Sequence, residues 1–190
     1  MKKRILALAV GSMVLSAGAS ASGGAGDGEW NWFAGLDDDY VMEPTASLLL
    51  GSLSFNDGDS GSVAGVELSF NCPLLTPPTN KIRQQLSIVQ YDEAGTDVTS
   101  IEINPHYVVE VSPGLFVGGG PGFGYMSIDT AGGDDSVLGV QVGGSVHYNL
   151  SDTVFLGADA RYQLTQDANF GATTVSMDNW RIALKAGVSF

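Results

Sequence analysis

The sequence has 190 residues and a formal net charge of −13, and it is 44% hydrophobic with 26 Gly and 7 Pro. This length suits a single domain, and the apolar content is too high for a disordered chain. The excess of acidic residues argues against nucleic acid as a partner, because phosphate binding requires clustered Lys and Arg.

The first 21 residues have the pattern of a cleaved secretory signal peptide. Three basic residues near the start precede an apolar run from Ile5 to Leu15, and small residues follow up to Ala21. The remaining chain would carry 5 basic and 21 acidic residues, a net charge of −16. No later stretch approaches the roughly 18 consecutive apolar residues of a transmembrane helix. A membrane protein of this kind would have to be a closed β-barrel, because lipid offers no partner to unpaired backbone groups.

Residues 22–44 are predicted to be a periplasmic segment that precedes a barrel at 45–190. Trp30, Trp32 and Phe33 lie in this segment and allow two interpretations. They could begin a first strand, or they could anchor the chain at the periplasmic membrane interface, where Trp is enriched. We prefer eight strands without this segment, because an even number places both barrel termini on one side. The rival count uses the Trp segment as strand one and merges or drops another.

From residue 45 onward, apolar and polar residues alternate with a period of two, which is typical of strands with one apolar and one polar face. We predict eight strands, at 45–56, 61–72, 80–91, 99–111, 115–127, 137–149, 153–163 and 176–190. The last is the clearest, because every second residue from Trp180 to Phe190 is apolar. Its length matches the roughly 9–11 residues of a tilted transmembrane strand. The third strand alternates poorly, and we expect a β-bulge in it.

The polar rows of these strands carry ionisable residues, and we predict that they face the lumen. A soluble lipocalin-like barrel would bury the apolar rows instead. Strands of bilayer length, aromatics near strand ends and the terminal Phe190 favour the membrane alternative. A Lys or Arg on the lipid face costs about 2–4 kcal/mol at the midplane, so the charged rows would point inward. The predicted lumenal network consists of Glu67, Glu102, His106, Glu110, Asp159, Arg161, Arg181 and Lys185.

The connections between strands differ at the two ends. Tight turns at 111–114 and 150–152 fit the periplasmic side. The linkers at 57–60, 92–98, 128–136 and 164–175 contain acids and no Lys or Arg, and they fit extracellular loops. Carboxylates suit Ca²⁺ or Mg²⁺, and Asp57, Asp59, Asp134 and Asp135 are the candidates. We prefer a solvated anionic surface and predict no metal site.

The segment from Tyr107 to Tyr125 reads as a strand, a Ser-Pro-Gly turn and a glycine-rich return strand. Its glycines 118, 120, 122 and 124 share one face, which we predict to be lumenal and to leave room for larger side chains. A phosphate-binding loop is excluded, because the P-loop lysine and the following helix are missing.

Together with the signal peptide and Phe190, these segments resemble the small outer-membrane β-barrel family that includes OmpA-type transmembrane domains and opacity-like, porin-family proteins. The resemblance implies an all-β, eight-stranded antiparallel up-and-down transmembrane β-barrel in the outer membrane of a Gram-negative cell envelope. It also implies contact with the lipid bilayer and lipopolysaccharide, and a monomeric state. Phe190 would be the membrane-insertion signal, read by the barrel-assembly machinery through the C-terminal strand.

We predict a non-enzymatic protein with a structural or surface-interaction role and no cofactor. An eight-stranded barrel is just wide enough for its own side chains to fill, so a wide pore is not expected. Two alternatives remain open. One is a narrow ion-conducting pore through the lumenal charges. The other is a lipid-A-modifying enzyme, for which His106 and His147 are the only histidines that could act as a base.

Overall fold

The computed structural model describes residues 30–56, 58, 60–93, 95–170 and 173–190. The predicted signal peptide lies outside these residues. The strands are β1 (Asn31–Trp32), β2 (Thr45–Phe55), β3 (Ser60–Asn71), β4 (Leu75–Thr76), β5 (Lys81–Glu93), β6 (Thr96–Ser112), β7 (Leu115–Thr130), β8 (Gly133–Asn149), β9 (Val154–Thr165), β10 (Asp167–Phe170), β11 (Thr173–Ser176) and β12 (Asn179–Ser189). A short 3-10 helix, Ala34–Leu36, follows β1.

Eight of these strands close into an antiparallel barrel in the order β12-β2-β3-β5-β6-β7-β8-β9. The last strand completes the ring by pairing with the first barrel strand, from Asn179 opposite Phe55 to Ser189 opposite Thr45. Every other neighbour in the ring follows in chain order, so the barrel is of the up-and-down type. The predicted fold class is confirmed. We call the end that holds Thr45 and Ser189 the periplasmic end, and the opposite end the extracellular end.

The Trp segment is not a strand of this barrel. Asn31 and Trp32 instead pair with Thr76 and Leu75, in the connection between β3 and β5. Backbone hydrogen bonds from Phe33 N to Leu74 O and from Gly35 N to Pro73 O, both 2.7 Å, extend the contact. The long proline-containing connection therefore receives the N-terminal segment, which explains why it is longer than a periplasmic turn.

Three other predictions about the strands are wrong in detail. The third barrel strand, β5, has an unbroken register with both neighbours and no bulge. The register shift lies between Glu110 and Ser112, in the pairing of β6 with β7. The predicted loops at 92–98 and 128–136 are mostly strand, because β6, β7 and β8 continue as paired ribbons into tight turns. The linker at 164–175 contains the hairpin of β10 and β11.

The outer surface of the barrel is apolar and the lumen holds the charges. Large hydrophobic side chains face outward on every barrel strand, for example Leu48, Leu68, Ile101 and Leu184. Within the residues described, no helix is long and apolar enough to cross a membrane. The predicted orientation of the two faces is confirmed for the middle of the barrel, where lipid would be in contact with hydrocarbon side chains.

Candidate functional site

The lumen is the place where the chain brings its ionisable residues together. Inward-facing side chains alternate with lipid-facing ones along each strand, so residues distant in sequence meet inside the ring. Three layers follow one another along the barrel axis: an apolar layer at the extracellular end, a layer of ion pairs in the middle, and a cavity that opens at the periplasmic end.

The most extensively bonded carboxylate of the middle layer is Glu102. Arg181 on β12 donates two hydrogen bonds to it, of 2.5 Å to Oε1 and 2.9 Å to Oε2. Ser100 and Ser87 each donate one more, of 3.2 Å and 3.1 Å. This two-point arginine–carboxylate geometry is the strongest form of charge-assisted hydrogen bonding, and all four groups are buried.

A second group of charges surrounds Arg161 on β9. Its Nε donates to Asp159 at 3.0 Å, and its guanidinium also contacts Glu67 at 3.3 Å and Gln85 at 2.7 Å. Lys185 donates to both oxygens of Glu67, at 2.8 and 2.9 Å. Together with Glu102 and Arg181, these groups make three carboxylates and three cations. The layer is therefore neutral, which is the condition for burying charges at tolerable cost.

Glycines on neighbouring strands make room for these long side chains. A Cβ at Gly143 would lie 2.7 Å from Cγ of Arg161, and one at Gly139 would lie 2.6 Å from Nε2 of Gln163. A Cβ at Gly122 would overlap the side chain of Asn104. The predicted role of the lumenal glycines on β7 is confirmed, and glycines on β8 have the same role.

The extracellular layer was not predicted. Leu49, Leu53, Phe55, Val89, Tyr91 and Met126 are among the side chains that form one buried apolar cluster inside the barrel. The rings of Phe55 and Tyr91 meet edge to face, with centroids 5.5 Å apart. The hairpin of β10 and β11 adds Ala168, Phe170 and Val175 to this cluster. Apolar residues on both faces of a strand obscure the period-two signal, so the sequence pattern alone did not reveal this layer.

Solved structures share this architecture, although no protein-family model and no curated protein matches the sequence significantly. One is the N-terminal β-barrel domain of OprF from Pseudomonas aeruginosa, with 15% identity over 79% of this chain and 100% of that chain, and a TM-score of 0.52. Neisserial surface protein A is 18% identical over 78% of this chain and 97% of that chain, with a TM-score of 0.54. Ail from Yersinia pestis is 12% identical over 78% of this chain and 97% of that chain, with a TM-score of 0.53. The chain has the fold of the small outer-membrane β-barrels.

At the periplasmic end of this outer-membrane barrel fold lies a cavity of about 550 Å³. Lys185 and Glu67 of the ion-pair layer line it from within, and Phe116, His147 and Phe155 line its side. The rings of Phe116 and His147 are stacked, with centroids 4.7 Å apart. The cavity thus reaches from the periplasmic mouth to the charged layer.

Glu43 and Lys81 form an ion pair at this mouth, and Arg83 ties several neighbouring groups together. Arg83 donates to the Ser69 hydroxyl at 3.0 Å and to the Glu43 carbonyl at 2.9 Å. Partial burial of Glu43 acts to raise its pKa, but the hydrogen bond and charge of Lys81 outweigh this and lower it. The segment before β2 is therefore held to the barrel rim by charge.

The two histidines do not form a complete catalytic triad. Nδ1 of His106 lies 3.2 Å from Oγ of Ser145, so a potential base and a potential nucleophile are within hydrogen-bond reach of each other. Its other ring nitrogen, Nε2, is buried and has no hydrogen-bond partner among the residues described. The carboxylate that would orient the ring is thus missing. His147 stacks on an aromatic ring instead.

Seven of the eight predicted network residues are buried in the lumen, and Glu110 is not. Its placement in the network is wrong. Glu110 is exposed near the periplasmic end of β6, where it accepts a hydrogen bond of 2.9 Å from Gly114 N in the following turn. Glu110 still follows the alternation and lines the periplasmic cavity, but it lies at the open end of the barrel, too far along the axis to join the ion-pair layer.

Of the candidate cation ligands, the two that the structure describes, Asp134 and Asp135, are not arranged as a site. Asp57 and Asp59 lie outside the residues that the structure describes. Asp135 accepts backbone hydrogen bonds from Ser136 at 2.7 Å and Asn169 at 2.6 Å, so both of its oxygens are engaged. Within the described part of the chain, no three His, Cys, Asp or Glu side chains converge as a ligand set.

Proposed function

We propose that this chain is an outer-membrane protein whose closed barrel has a structural or surface-interaction role and no enzymatic activity. In this proposal the apolar belt lies in the bilayer, where it contacts lipid and the acyl chains of lipopolysaccharide, and the protein is a monomer. The C-terminal strand with Phe190 is the element that the barrel-assembly machinery would recognise. Phe190 is 71% exposed beside the apolar belt, so its ring is available for such recognition.

The observation that carries the proposal is the way in which the lumen is filled. Its six central charges pair with one another, and an apolar cluster closes the extracellular end. A binding or catalytic lumen would leave charged groups directed towards a substrate. Here the pairing supports a role for the interior in holding the barrel together, and it leaves the outer surface to interact with partners.

Mass spectrometry of lipid A tests the absence of enzymatic activity. Cells with and without the protein should show the same acyl pattern. The His106→Ala variant is informative because His106 is the histidine near a serine hydroxyl, and His147→Ala is the matched control. An acyl change that depends on His106 and not on His147 would refute the proposal.

The narrow-pore alternative is favoured by one observation, the cavity that connects the periplasmic mouth with Glu67 and Lys185. Conduction would also require a path through the ion pairs and the apolar layer. In planar bilayers the purified chain should give no discrete channel openings. Openings that change when Glu102 is replaced by Gln would show that the lumen conducts.

A further inference from the structure

A second, smaller cavity of about 290 Å³ lies at the extracellular mouth, beneath the β10–β11 hairpin. Its walls include Phe55, Tyr91, Ile128, Phe170 and Met177. These residues belong to the apolar layer or pack against it. The volume is close to the lower end of small-molecule sites, which span roughly 300–1,000 Å³. The cavity could hold one aromatic or short aliphatic group.

One carboxylate, that of Glu93, lies at the edge of this apolar cavity. Glu93 lines the cavity together with the hydroxyl-bearing residues Thr96, Thr130 and Ser176. Glu93 is paired with Thr96 across the ladder and follows Tyr91 by two residues, so it faces the same inner side as Tyr91. Among the residues that the structure describes, none makes a hydrogen bond or an ion pair with the Glu93 side chain.

The charge around the mouth selects the sign of a ligand. Asp92, Asp97, Asp129 and Asp134 are opposite one another in consecutive ladders, so they form one row on the outer face of the rim. The sequence contains no Lys or Arg at 56–60, 90–98, 128–136 or 164–178. Such a rim attracts cations and repels carboxylates and phosphates.

We propose that the extracellular mouth binds a small organic cation whose ammonium group pairs with Glu93. Its apolar body enters the cavity between Phe170 and the edge-to-face pair of Phe55 and Tyr91. The aromatic walls also favour a cation within about 6 Å of a ring centre. This inference rests on the proposed surface-interaction role and gives it a ligand class.

Three probes of similar shape and different charge test the inference: benzylammonium, benzyl alcohol and benzoate. Each is titrated into the chain from residue 22 to 190, folded in lipid nanodiscs, and empty nanodiscs are subtracted as the blank. Benzylammonium should bind saturably and about fivefold more tightly than benzyl alcohol, the upper range for a solvent-accessible ion pair. Benzoate should show no binding above the blank. Equal binding of all three probes, or of none, would overturn the inference.

Two variants at one turn separate the local pair from the general negative charge. Glu93→Gln should reduce benzylammonium affinity about fivefold and leave benzyl alcohol unchanged. Asp92→Asn removes the same charge from the outer face and should change affinity by less than about twofold, because the Asp92 carboxylate points away from the cavity and makes no direct pair with the ligand. A larger loss from Asp92→Asn than from Glu93→Gln would contradict the pairing.

A third variant, Thr96→Phe, places an aromatic ring in the cavity and should abolish binding of benzylammonium and benzyl alcohol. Retained binding would place the ligand elsewhere and overturn the inference. Heat-dependent migration in detergent gels reports whether each variant is folded. A folded, membrane-inserted barrel that binds no probe removes only this inference. A chain that folds as a soluble monomer without detergent removes the proposed function, whatever the probes do.

Discussion

Glu102 shows how a single residue can carry a charge in the middle of a membrane-spanning barrel. Each of its oxygens accepts one hydrogen bond from Arg181 and one from a serine. Arg161 lies 4.0 Å away and adds a second positive neighbour. A buried pair of this kind adds little net stability over apolar side chains, but the loss of Glu102 would leave the layer with one uncompensated positive charge, with Arg181 only 3.7 Å from Asp159.

We therefore predict that Glu102→Gln destabilises the barrel by about 3–5 kcal/mol, the usual cost of an uncompensated buried charge. The measurement is the free energy of unfolding in lipid vesicles. Glu110→Gln is the matched control, since the same chemical change at an exposed position should cost less than about 0.5 kcal/mol. The double variant Glu102→Gln with Arg181→Met should recover part of the loss. Equal costs at positions 102 and 110 would contradict the ion-pair layer.

Gly122 contributes to packing of the lumen because it has no side chain. An added Cβ would meet the Asn104 side chain and the Ile103 carbonyl oxygen. We predict that Gly122→Ala costs about 1–3 kcal/mol, as overpacking of a filled interior usually does. Gly144→Ala is the control on the lipid face of the adjacent strand, where the nearest atom, Gly118 O, lies at an ordinary 3.5 Å. The two unfolding free energies should differ; similar values would show that the lumen at Gly122 has spare room.

At this scale, the sequence predicted which charges enter the lumen but not how they pair. Alternation assigns Glu67 and Lys185 to the inner side independently of each other. Their contact joins residues 118 positions apart, and it depends on barrel closure and register, which a strand pattern does not contain. The uncharged partners Ser87 and Gln85 were missed because β5 alternates poorly in the sequence.

At the scale of elements, β5 explains why an alternation rule can fail in a regular strand. Its inner row changes from polar Gln85 and Ser87 to apolar Val89 and Tyr91 as it rises through the lumen. Its outer row contains Gln90 beside apolar Ile88. The two faces therefore exchange polarity along the strand, and this exchange resembles the slip that a bulge produces. Strands β6 and β12 keep one polarity per face through the membrane, and their periplasmic ends were predicted to within one residue, although their extracellular ends were three residues off.

Asp135 holds the β10–β11 hairpin over the extracellular mouth. This residue is at the extracellular end of β8, outside the apolar belt. Backbone hydrogen bonds from Asn169 and Ser136 lower the pKa of Asp135 below its ordinary value of 3.8. A lowered folded-state pKa means that the ionised form stabilises the docked hairpin. This contribution is complete above the ordinary pKa and is lost as the pH falls through the lower, folded-state pKa.

We predict that amide hydrogen exchange at Asn169, corrected for its intrinsic rate, is constant from neutral pH to about pH 4 and rises below it. Asp135→Asn keeps a neutral acceptor, so it should weaken protection at neutral pH and remove the pH dependence. Asp134→Asn is the control, because this substitution makes the same change in net charge and the Asp134 side chain lies on the outer face. An unchanged profile in the Asp135 variant would show that other contacts hold the hairpin.

At the scale of the whole molecule, the layers of the lumen and the apolar exterior both follow from the need to place a polypeptide backbone and its charges in a bilayer. A closed ring satisfies every backbone group between neighbours, so the strands can cross hydrocarbon without an edge. The charges then have to be enclosed and neutralised, and glycines on β7 and β8 provide the space for that. The apolar layer closes the lumen at the extracellular end, where the β10–β11 hairpin packs against it.

This arrangement predicts that the cost of a charge on the outer surface depends on its depth. Leu184, at the middle of β12, is 68% exposed, and Val188, on the same face near the periplasmic end, is 44% exposed. Leu184→Arg should cost about 2–4 kcal/mol and Val188→Arg about 0–1 kcal/mol, the values for the bilayer midplane and interface. Unfolding in lipid vesicles measures both. Both variants introduce Arg on the same face of the same strand, so most of the difference between their costs comes from depth. Equal costs, or a larger cost at position 188, would mean that the apolar rows of this barrel do not lie in hydrocarbon.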